Sequence, residues 1–393
     1  MMEQLLHIVL FKGRLATLDF FVECFAKYLK KQGIDYYLVD TNIPETYNSS
    51  AFDNFIKQPC CVMFTFNNIG VKMDEAGKNI WKSHGIPVYS FIVDPPRAFS
   101  DILLHPPCDM YVFSLDENRN DFIREFYPEI KEVYFMAAAG QDVCSGKPLK
   151  DRSIDVIYMG CCQKKVDSYP ALSFFEDEGV DFYQKVISGL IENSEDTTEQ
   201  AIRKYIDSCG LNLTHDQLRD VIILTAGPIE ATVRRAFKQA GMQALDRHGI
   251  KVDIWGTGWE DDEYTYSDNI HIHSRVTPEE LLHYTGDSKI SLVYMGWQKR
   301  GCSEKNFDSM LNGCVCVSDP SSYLLENYVD GKNIVYFDMH NPEQMALDVK
   351  YLLNHLDVAQ NIADEGYKTA SKYDSWDVRS KAICEIITRN YSK

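Results

Sequence analysis

The sequence predicts an α/β protein built from two doubly wound parallel sheets. Its 393 residues exceed what one hydrophobic core usually serves, so two domains are expected. Short apolar runs of strand length alternate with stretches of helical periodicity, a pattern typical of parallel sheets with helical crossovers. A polar stretch at residues 140–153 interrupts this alternation and is the best candidate for a linker. Hydrophobic residues make up 45% and charged residues 25%, a balance that excludes disordered and fibrous classes.

The first half of the chain opens with an apolar run at residues 5–11, which predicts a strand. Residues 17–32 carry apolar side chains at helical spacing, and Gly33 marks the end of that helix. A second strand is predicted at residues 34–39. The later strands of this half are predicted at residues 61–66, 87–93, 109–115 and 132–136.

The second half opens with a predicted strand at residues 154–160. A long region at about residues 168–247 then shows helical periodicity and few strand signals, which indicates a helical insertion. Asn341 and Pro342 are typical of the start of a helix. The other elements predicted in this half are strands at 251–255, 269–273, 289–295, 314–318 and 333–337, and helices at 278–284, about 306–311 and 375–389.

Charge and cysteine content restrict the partners and the compartment. The formal charge is 40 − 58 = −18, which argues against nucleic acid or an anionic membrane surface as a general partner. The 12 cysteines include no CxxC pair, so zinc-ribbon and thioredoxin-like sites are not expected. A chain with this many thiols is expected in the reducing cytoplasm. The N-terminus has neither a basic region nor a cleavage site, and no apolar run is long enough to span a bilayer.

Several common catalytic motifs are absent from the sequence. The loop after the first predicted strand has a single glycine, Gly13, where a dinucleotide-binding loop would need GxGxxG. No P-loop, GxSxG or HExxH motif occurs. Lys12, Gly13 and Arg14 remain candidates for contact with a phosphate or an acceptor, and solvent-facing loop cations are the simpler interpretation.

Two motifs in the second half favour a nucleotide diphosphate sugar. The segment "VDIWGTGW" is a strand that enters a turn containing Gly256 and Gly258, where small residues let backbone amides approach a ligand. In "GCSEKNFDSMLNG", Lys305 lies near a predicted helix N-terminus, and Asp308 follows one turn later. The cation and the helix end would meet a diphosphate, and the carboxylate would accept hydrogen bonds from ribose. The alternatives are an ordinary tight turn and a solvated Lys–Asp pair.

The order of the motifs resembles that of group-1 GT-B glycosyltransferases, in particular the branch of CgeB-like spore-maturation proteins. The matching pieces include "VDIWGTGW", "VTPEELLHY", "EKNFDSMLNGCVCVSD" and "LLENYVDGKNIVYFD", with "FIVDPPRAF" in the first half. The resemblance implies two Rossmann-like domains that face a cleft. Residues 1–145 would form the acceptor-side domain, and residues 150–374 the donor domain, which carries the insertion. The last helix, within residues 375–393, would pack back toward the first domain.

The resemblance also implies roles for individual residues. Lys305 would neutralise the donor diphosphate, and Asp308 would hold the ribose. Related retaining enzymes have a second Glu eight positions before the ribose acid, where this chain has Arg300, so the stereochemical outcome stays open. The remaining donor-binding residues would be Gly256, Gly258 and Trp259 in the donor loop, and Arg275, Val276 and Thr277 at the nucleobase.

The candidate general base is Asp94, because it follows a buried strand of the first half and would lie at that strand's carboxyl end. Strand-end acids also serve simply as turn caps.

GT-B enzymes generally work without a metal, and no cofactor besides the nucleotide sugar is expected. His271 and His273 share a strand face, but two histidines without a third nearby ligand make a weak case for a metal site.

The leading hypothesis is thus a cytoplasmic, metal-independent glycosyltransferase that acts on an unidentified acceptor, which is a protein, a glycan or a small molecule. Two alternatives remain. One is a catalytically inactive structural or scaffolding protein of the same fold. The other is a nucleotide-sugar epimerase, which needs no acceptor. The helical insertion has two open roles, namely shaping the acceptor site and forming the contact of a homodimer.

Overall fold

The computed structural model describes residues 6–143, 146–172, 179–260, 263–296 and 298–391. The chain divides into two compact units. Unit 1 comprises Met1–Gln141, Thr277–Glu279 and Lys372–Lys393. Unit 2 comprises Asp142–Val276 and Glu280–Ser371.

The core of unit 1 is a six-stranded sheet in which every neighbouring pair is parallel. The strands are β1 (His7–Lys12), β2 (Asp35–Asp40), β3 (Cys61–Phe66), β6 (Val88–Ile92), β7 (Met110–Ser114) and β8 (Glu132–Phe135), with a small hairpin of β4 (Asp74–Glu75) and β5 (Lys78–Asn79). The strand order in the sheet is β2-β1-β3-β6-β7-β8. The strand order changes direction between β1 and β3, so the loops that follow these two strands flank the point where α/β sheets usually bind ligands.

The helices of unit 1 cover this sheet. They are α1 (Ala16–Gln32), α2 (Ser50–Phe55), α3 (Ile80–Ser83), α4 (Ser100–Leu103), α5 (Glu117–Phe126) and α14 (Trp376–Tyr391). Helix α1 ends at Gly33, whose φ of 70° is the left-handed conformation that glycine adopts without strain, as the sequence predicted. The predicted strands of this half lie within two residues of the observed ones.

Helix α14 belongs to unit 1 although it ends the described chain. Its apolar face is buried, and the Trp376 ring lies 5.2 Å from the ring of Phe21 on α1. Lys31 of α1 pairs with Asp377 at 2.6 Å. The backbone N–H of Gly140 donates to the carbonyl of Asp374, which ties the first and last chain segments of unit 1 together.

The core of unit 2 is a second six-stranded sheet, again parallel throughout. The strands are β9 (Ile154–Met159), β10 (Val252–Trp255), β11 (Ile270–His273), β12 (Ser288–Val293), β13 (Val315–Ser318) and β14 (Val335–Tyr336). Their order, β11-β10-β9-β12-β13-β14, is the Rossmann order 3-2-1-4-5-6. The change of direction between β9 and β12 is therefore the expected ligand-binding edge.

The helices of unit 2 fall into two sets. The insertion between β9 and β10 consists of α6 (Val180–Glu192), α7 (Thr198–Ser208) and α8 (His215–Arg247). The remaining helices are α9 (Pro278–Gly286, whose first two residues group with unit 1), α10 (Glu304–Leu311), α11 (Ser322–Asn327), α12 (Pro342–Asn354) and α13 (Leu356–Tyr373, whose last two residues group with unit 1). Helix α12 starts as predicted, because the Asn341 side chain accepts a hydrogen bond from the Gln344 N–H.

The predicted helical region began too early. Residues 168–172 form neither helix nor strand, residues 173–178 lie outside the described chain, and helix begins at Val180. Tertiary contacts fix the extended start of this segment. The Tyr169 ring stacks on Tyr183 of α6 with centroids 4.4 Å apart, and the Tyr183 hydroxyl donates to the carbonyl of Pro170. Helical periodicity in the sequence did not reveal this side-chain packing.

Candidate functional sites

The loops after β9 and β10 pack backbone against backbone. A Cβ on Gly256 would lie 2.1 Å from the carbonyl oxygen of Gly160, and a Cβ on Gly258 would lie 2.3 Å from that of Cys162. Gly258 also has a φ of 86°. These two glycines are thus explained by close approach of two loops at the carboxyl edge of the sheet. The Cys162 N–H donates to the carbonyl of Thr257 and locks the arrangement.

Trp259 anchors the same loop from inside. Its side chain is only 1% exposed, its Nε1 donates to the carbonyl of Gly160, and its ring meets Tyr158 edge to face at 5.5 Å. The structure therefore places Trp259 in the core beneath the loop, while Gly256 and Gly258 form the loop itself.

Helix α10 presents Lys305 and Asp308 on one face, three residues apart. The Ser303 side chain caps the helix in a capping box with Asn306, which fixes the position of the first turn. Lys305 lies in this first turn, as predicted, with its Nζ 3.6 Å from Oε1 of Glu304. Burial opposes ionisation of Glu304, but the Lys305 charge and hydrogen bonds at the helix start outweigh it and lower the pKa of Glu304.

Two further cations reach this edge from helix α8. Lys238 is 4% exposed, and its Nζ donates to the carbonyl of Cys161 at 2.8 Å and to Oε1 of Gln163 at 3.1 Å. Its pKa falls to about 7, because burial removes water from the ammonium group and because Arg234 and Lys305 repel its charge. Arg234, Lys238 and Lys305 thus form a cation cluster, defined here by these three residues.

Arg234 has an unsatisfied donor. Its Nε is buried and has no hydrogen-bond partner among the described residues. Arg234 and Lys238 line a small cavity together with Tyr294, Gly296 and other residues. An unsatisfied guanidinium donor and a lysine whose charge is disfavoured would both gain from an anion bound here.

One buried carboxyl group accompanies the cluster. Asp319 follows β13, is 1% exposed and accepts a hydrogen bond from the Met295 N–H at 2.7 Å. Burial raises its pKa to about 6, and the charges of Lys299 and Arg234 oppose that rise. Asp319 thereby fixes the loop after β12 at the same edge of the sheet.

The predicted nucleobase residues follow β11. Val276 packs on the buried cluster of Ile157, Met159 and Trp255, and Arg275 is exposed. Burial raises the pKa of Cys161, but hydrogen bonds from Thr257 and the charge of Arg275 lower it overall. Thr277 directly precedes α9 and is exposed.

In unit 1, Asp94 follows β6 at the carboxyl edge of the sheet, as predicted, and its side chain is exposed. The Asn67 Nδ2 donates to Oδ2 of Asp94 at 2.8 Å.

The loop after β1 is engaged in internal contacts. Lys12 pairs with Glu23 at 3.2 Å, and the Gly13 N–H donates to Oδ1 of Asp19. Arg14 is exposed.

No group of His, Cys, Asp and Glu among the described residues has the geometry to hold a metal ion. His271 and His273 both lie near the carboxylate of Asp253. The His273 Nε2 is 2.6 Å from Asp253 Oδ1, and the His271 Nδ1 is 3.5 Å from the same oxygen. Within the same described ranges, no helix has the length and apolar character needed to cross a membrane.

Comparison with known proteins defines the fold. Residues 234–385 match the glycosyl transferase-like family. An α-glucosyltransferase solved with UDP-glucose and DNA containing an abasic site has 15% identity and a TM-score of 0.56, covering 98% of this chain and 99% of that one. A DNA-modifying β-glucosyltransferase has 9% identity and a TM-score of 0.52, with 97% and 99% covered. Sucrose-phosphate synthase from Thermosynechococcus elongatus has 8% identity and a TM-score of 0.51, with 98% and 99% covered.

The chain has the GT-B fold. The comparison with curated protein sequences gave no match. Within this GT-B chain, the matched segment includes Arg234 and Lys238 at its start and Lys305 and Asp308 further on. The insertion helix α8 therefore contributes to the same matched segment as the Rossmann elements.

Sequence reasoning missed three residues that the geometry brings forward: Arg234, Lys238 and Asn67. A signal existed for the first two, because Arg234 and Lys238 are four residues apart and so share a face of helix α8. Asn67 carried no comparable signal in the sequence, because the residues that it contacts, Val93 and Asp94, lie 26 and 27 positions later in the chain.

Proposed function

We propose that this chain is a glycosyltransferase that moves a sugar from a nucleotide diphosphate sugar to an acceptor hydroxyl. The observation that carries the proposal is the cation cluster, in which a buried lysine with a depressed pKa lies near the unsatisfied Nε of Arg234. Perturbed groups of this kind collect at functional sites. The GT-B fold and the match to the glycosyl transferase-like family agree with this chemistry.

In this proposal, the donor domain expected at residues 150–374 binds the donor. Arg234, Lys238 and Lys305 meet the diphosphate, and the N-terminus of α10 adds its partial positive charge. Asp308, one turn further along α10, accepts hydrogen bonds from the ribose hydroxyls. The loop of Gly256 and Gly258, held by Trp259, lines the donor site. The backbone at Arg275, Val276 and Thr277 contacts the nucleobase.

The general base in this proposal is Asp94. Its carboxylate takes the proton of the acceptor hydroxyl, the hydroxyl oxygen forms a bond to the anomeric carbon, and the bond from that carbon to the β-phosphate oxygen breaks. The electron pair leaves with the nucleotide diphosphate, whose charge the cation cluster stabilises without a metal. Arg300 stands in place of the second acid of retaining relatives, so we propose inversion at the anomeric carbon, which the anomer of the product tests.

The acceptor and its setting are part of the proposal. We infer a CgeB-like enzyme of the reducing cytoplasm, on the basis of the motif series and the eleven free cysteines among the described residues. The net charge of −18 disfavours a nucleic-acid acceptor. Because two of the similar structures are named for DNA or contain it, duplex DNA belongs in the acceptor panel as a direct check.

The first test is donor binding by calorimetry, with UDP-glucose as the first probe because a similar structure contains it. We expect Lys305→Ala to weaken binding by tenfold or more, since a charge-assisted hydrogen bond contributes about 1.5–3 kcal/mol. Asp308→Asn should weaken it as well. The matched control is Lys368→Ala, because Lys368 is an exposed lysine of the same unit that pairs with Glu365, three residues before it.

Three outcomes separate the candidate functions. Weakened binding in Lys305→Ala with a normal control, together with transfer by the wild type, supports a glycosyltransferase. Binding without turnover of any donor supports an inactive scaffold, and conversion of the donor sugar without an acceptor supports an epimerase. Equal binding by Lys305→Ala, Asp308→Asn and the wild type would remove the main support for the donor site.

A further inference from the structure

The loop after β3 holds two consecutive asparagines in the left-handed conformation. Asn67 has a φ of 49° and Asn68 a φ of 60°. Residues other than glycine rarely adopt this conformation, and Asn tolerates it best. Such backbone strain persists where the surrounding structure enforces it, and it collects at functional sites.

Asn67 joins the ends of two neighbouring strands. Its N–H donates to the carbonyl of Phe91 on β6, and its side-chain Oδ1 accepts from the N–H groups of Val93 at 2.9 Å and Asp94 at 3.4 Å. Its Nδ2 donates to Oδ2 of Asp94 at 2.8 Å. One side chain therefore fixes both the backbone and the carboxylate of Asp94.

The neighbouring contacts make this bridge rigid. The Asn68 N–H donates to Oγ of Ser90, a fully buried residue of β6. Nη1 of Arg119, on α5, donates to the carbonyl of Val93 at 2.8 Å. The Asn68 side chain is 6% exposed, and neither of its polar atoms has a partner among the described residues. An unsatisfied buried amide is costly, so its presence next to Asn67 in the chain is a second sign of a functional site.

We propose that Asn67 is the positioning residue of Asp94. By holding Oδ2, it sets the orientation in which Oδ1 takes the proton from the acceptor hydroxyl. The strain at Asn67 and Asn68 is the cost of placing this amide at the strand end. This inference rests on the proposed function, because it assigns Asn67 a role in the base step of the same transfer.

The test uses Asn67→Asp in the full chain. Asp keeps the side-chain shape and the Oδ1 acceptor and also tolerates the left-handed conformation, but it lacks the N–H donor and sets a like charge against Asp94. Asn67→Gly relieves the backbone strain and removes the side chain entirely. The control for added charge is Asn54→Asp, on the exposed face of α2.

The assay measures turnover of UDP-glucose, UDP-N-acetylglucosamine, GDP-mannose and ADP-glucose with water as acceptor, and the affinity for whichever donor the wild type turns over. For Asn67→Asp and Asn67→Gly, we expect kcat to fall by tenfold or more, while donor affinity and Tm stay close to those of the wild type. Combining Asn67→Asp with Asp94→Asn should add little to the loss from Asp94→Asn alone, since both act on one group. Asn54→Asp should match the wild type.

Full kcat in Asn67→Asp would overturn the positioning role and leave the proposed function intact. Loss of donor affinity or of folding in both Asn67 variants would also overturn it, because the role would then be structural. If the wild type turned over none of the four donors, the proposed function itself would fail, and the role of Asn67 with it.

Discussion

Lys238 has a conflict between burial and charge. Its ammonium group is 4% exposed and near two other cations, so the folded protein without a ligand favours the neutral form and the pKa falls to about 7. The unfolded chain keeps the ordinary lysine value of 10.5. Between these two values the unfolded chain binds more protons than the folded one, so this residue makes the free energy of unfolding rise with pH from about 7 to 10.5.

Substituting Lys238 by Met should therefore separate stability from donor binding. Lys238→Met should be more stable than the wild type at pH 6 and should lack this pH-dependent gain in stability, as measured by denaturant unfolding at pH 6, 7, 8 and 9. In the wild type, donor affinity should fall about tenfold from pH 6 to 8, because the protonated fraction falls by that factor. Calorimetry with a nucleotide sugar checks this. A Lys238→Met variant with wild-type affinity, or wild-type affinity independent of pH, would contradict the role given to this lysine.

At the scale of elements, the strand–helix alternation was predictable because each strand is a short apolar run and each helix has its own periodicity. Helix α8 shows where that reasoning stops. The helical character of the region at about residues 168–247 was readable from the sequence, but the contact of Lys238 with Cys161 joins residues 77 positions apart and depends on tertiary packing. Likewise, Gly256 was predictable as a turn residue, but its backbone partner Gly160 was not.

Gly256 and Gly189 make a matched pair of substitutions. Gly256→Ala would set a Cβ against the carbonyl of Gly160, so we expect a loss of about 1–3 kcal/mol in the free energy of unfolding and weaker donor binding. Gly189 lies inside α6 with open space around it, so Gly189→Ala should gain roughly 0.5–1 kcal/mol. Urea unfolding measures both variants. Equal stability of the two would show that the loops after β9 and β10 are not packed as described.

At the scale of the whole molecule, the net charge of −18 sets an unfavourable long-range field for an anionic donor. Binding then depends on local groups, and all of those proposed for the diphosphate lie in unit 2. Arg234, Lys238 and Lys305 belong to this unit, which is continuous in sequence apart from residues 277–279. Unit 1, by contrast, combines three separate chain segments, and Trp376, Ile383 and Ile387 of α14, in the last of them, are buried.

This division predicts that residues 142–371 alone fold and bind the donor. The fragment retains the complete second sheet, the insertion helices and the cation cluster, and it should unfold cooperatively when heated and bind a nucleotide sugar within about tenfold of the full chain. It should not catalyse transfer, because Asp94 is absent. Circular dichroism, calorimetry and a transfer assay measure these properties, and residues 142–371 carrying Lys305→Ala provide the control. A fragment that folds but does not bind would show that donor affinity depends on unit 1, which would relocate part of the donor site.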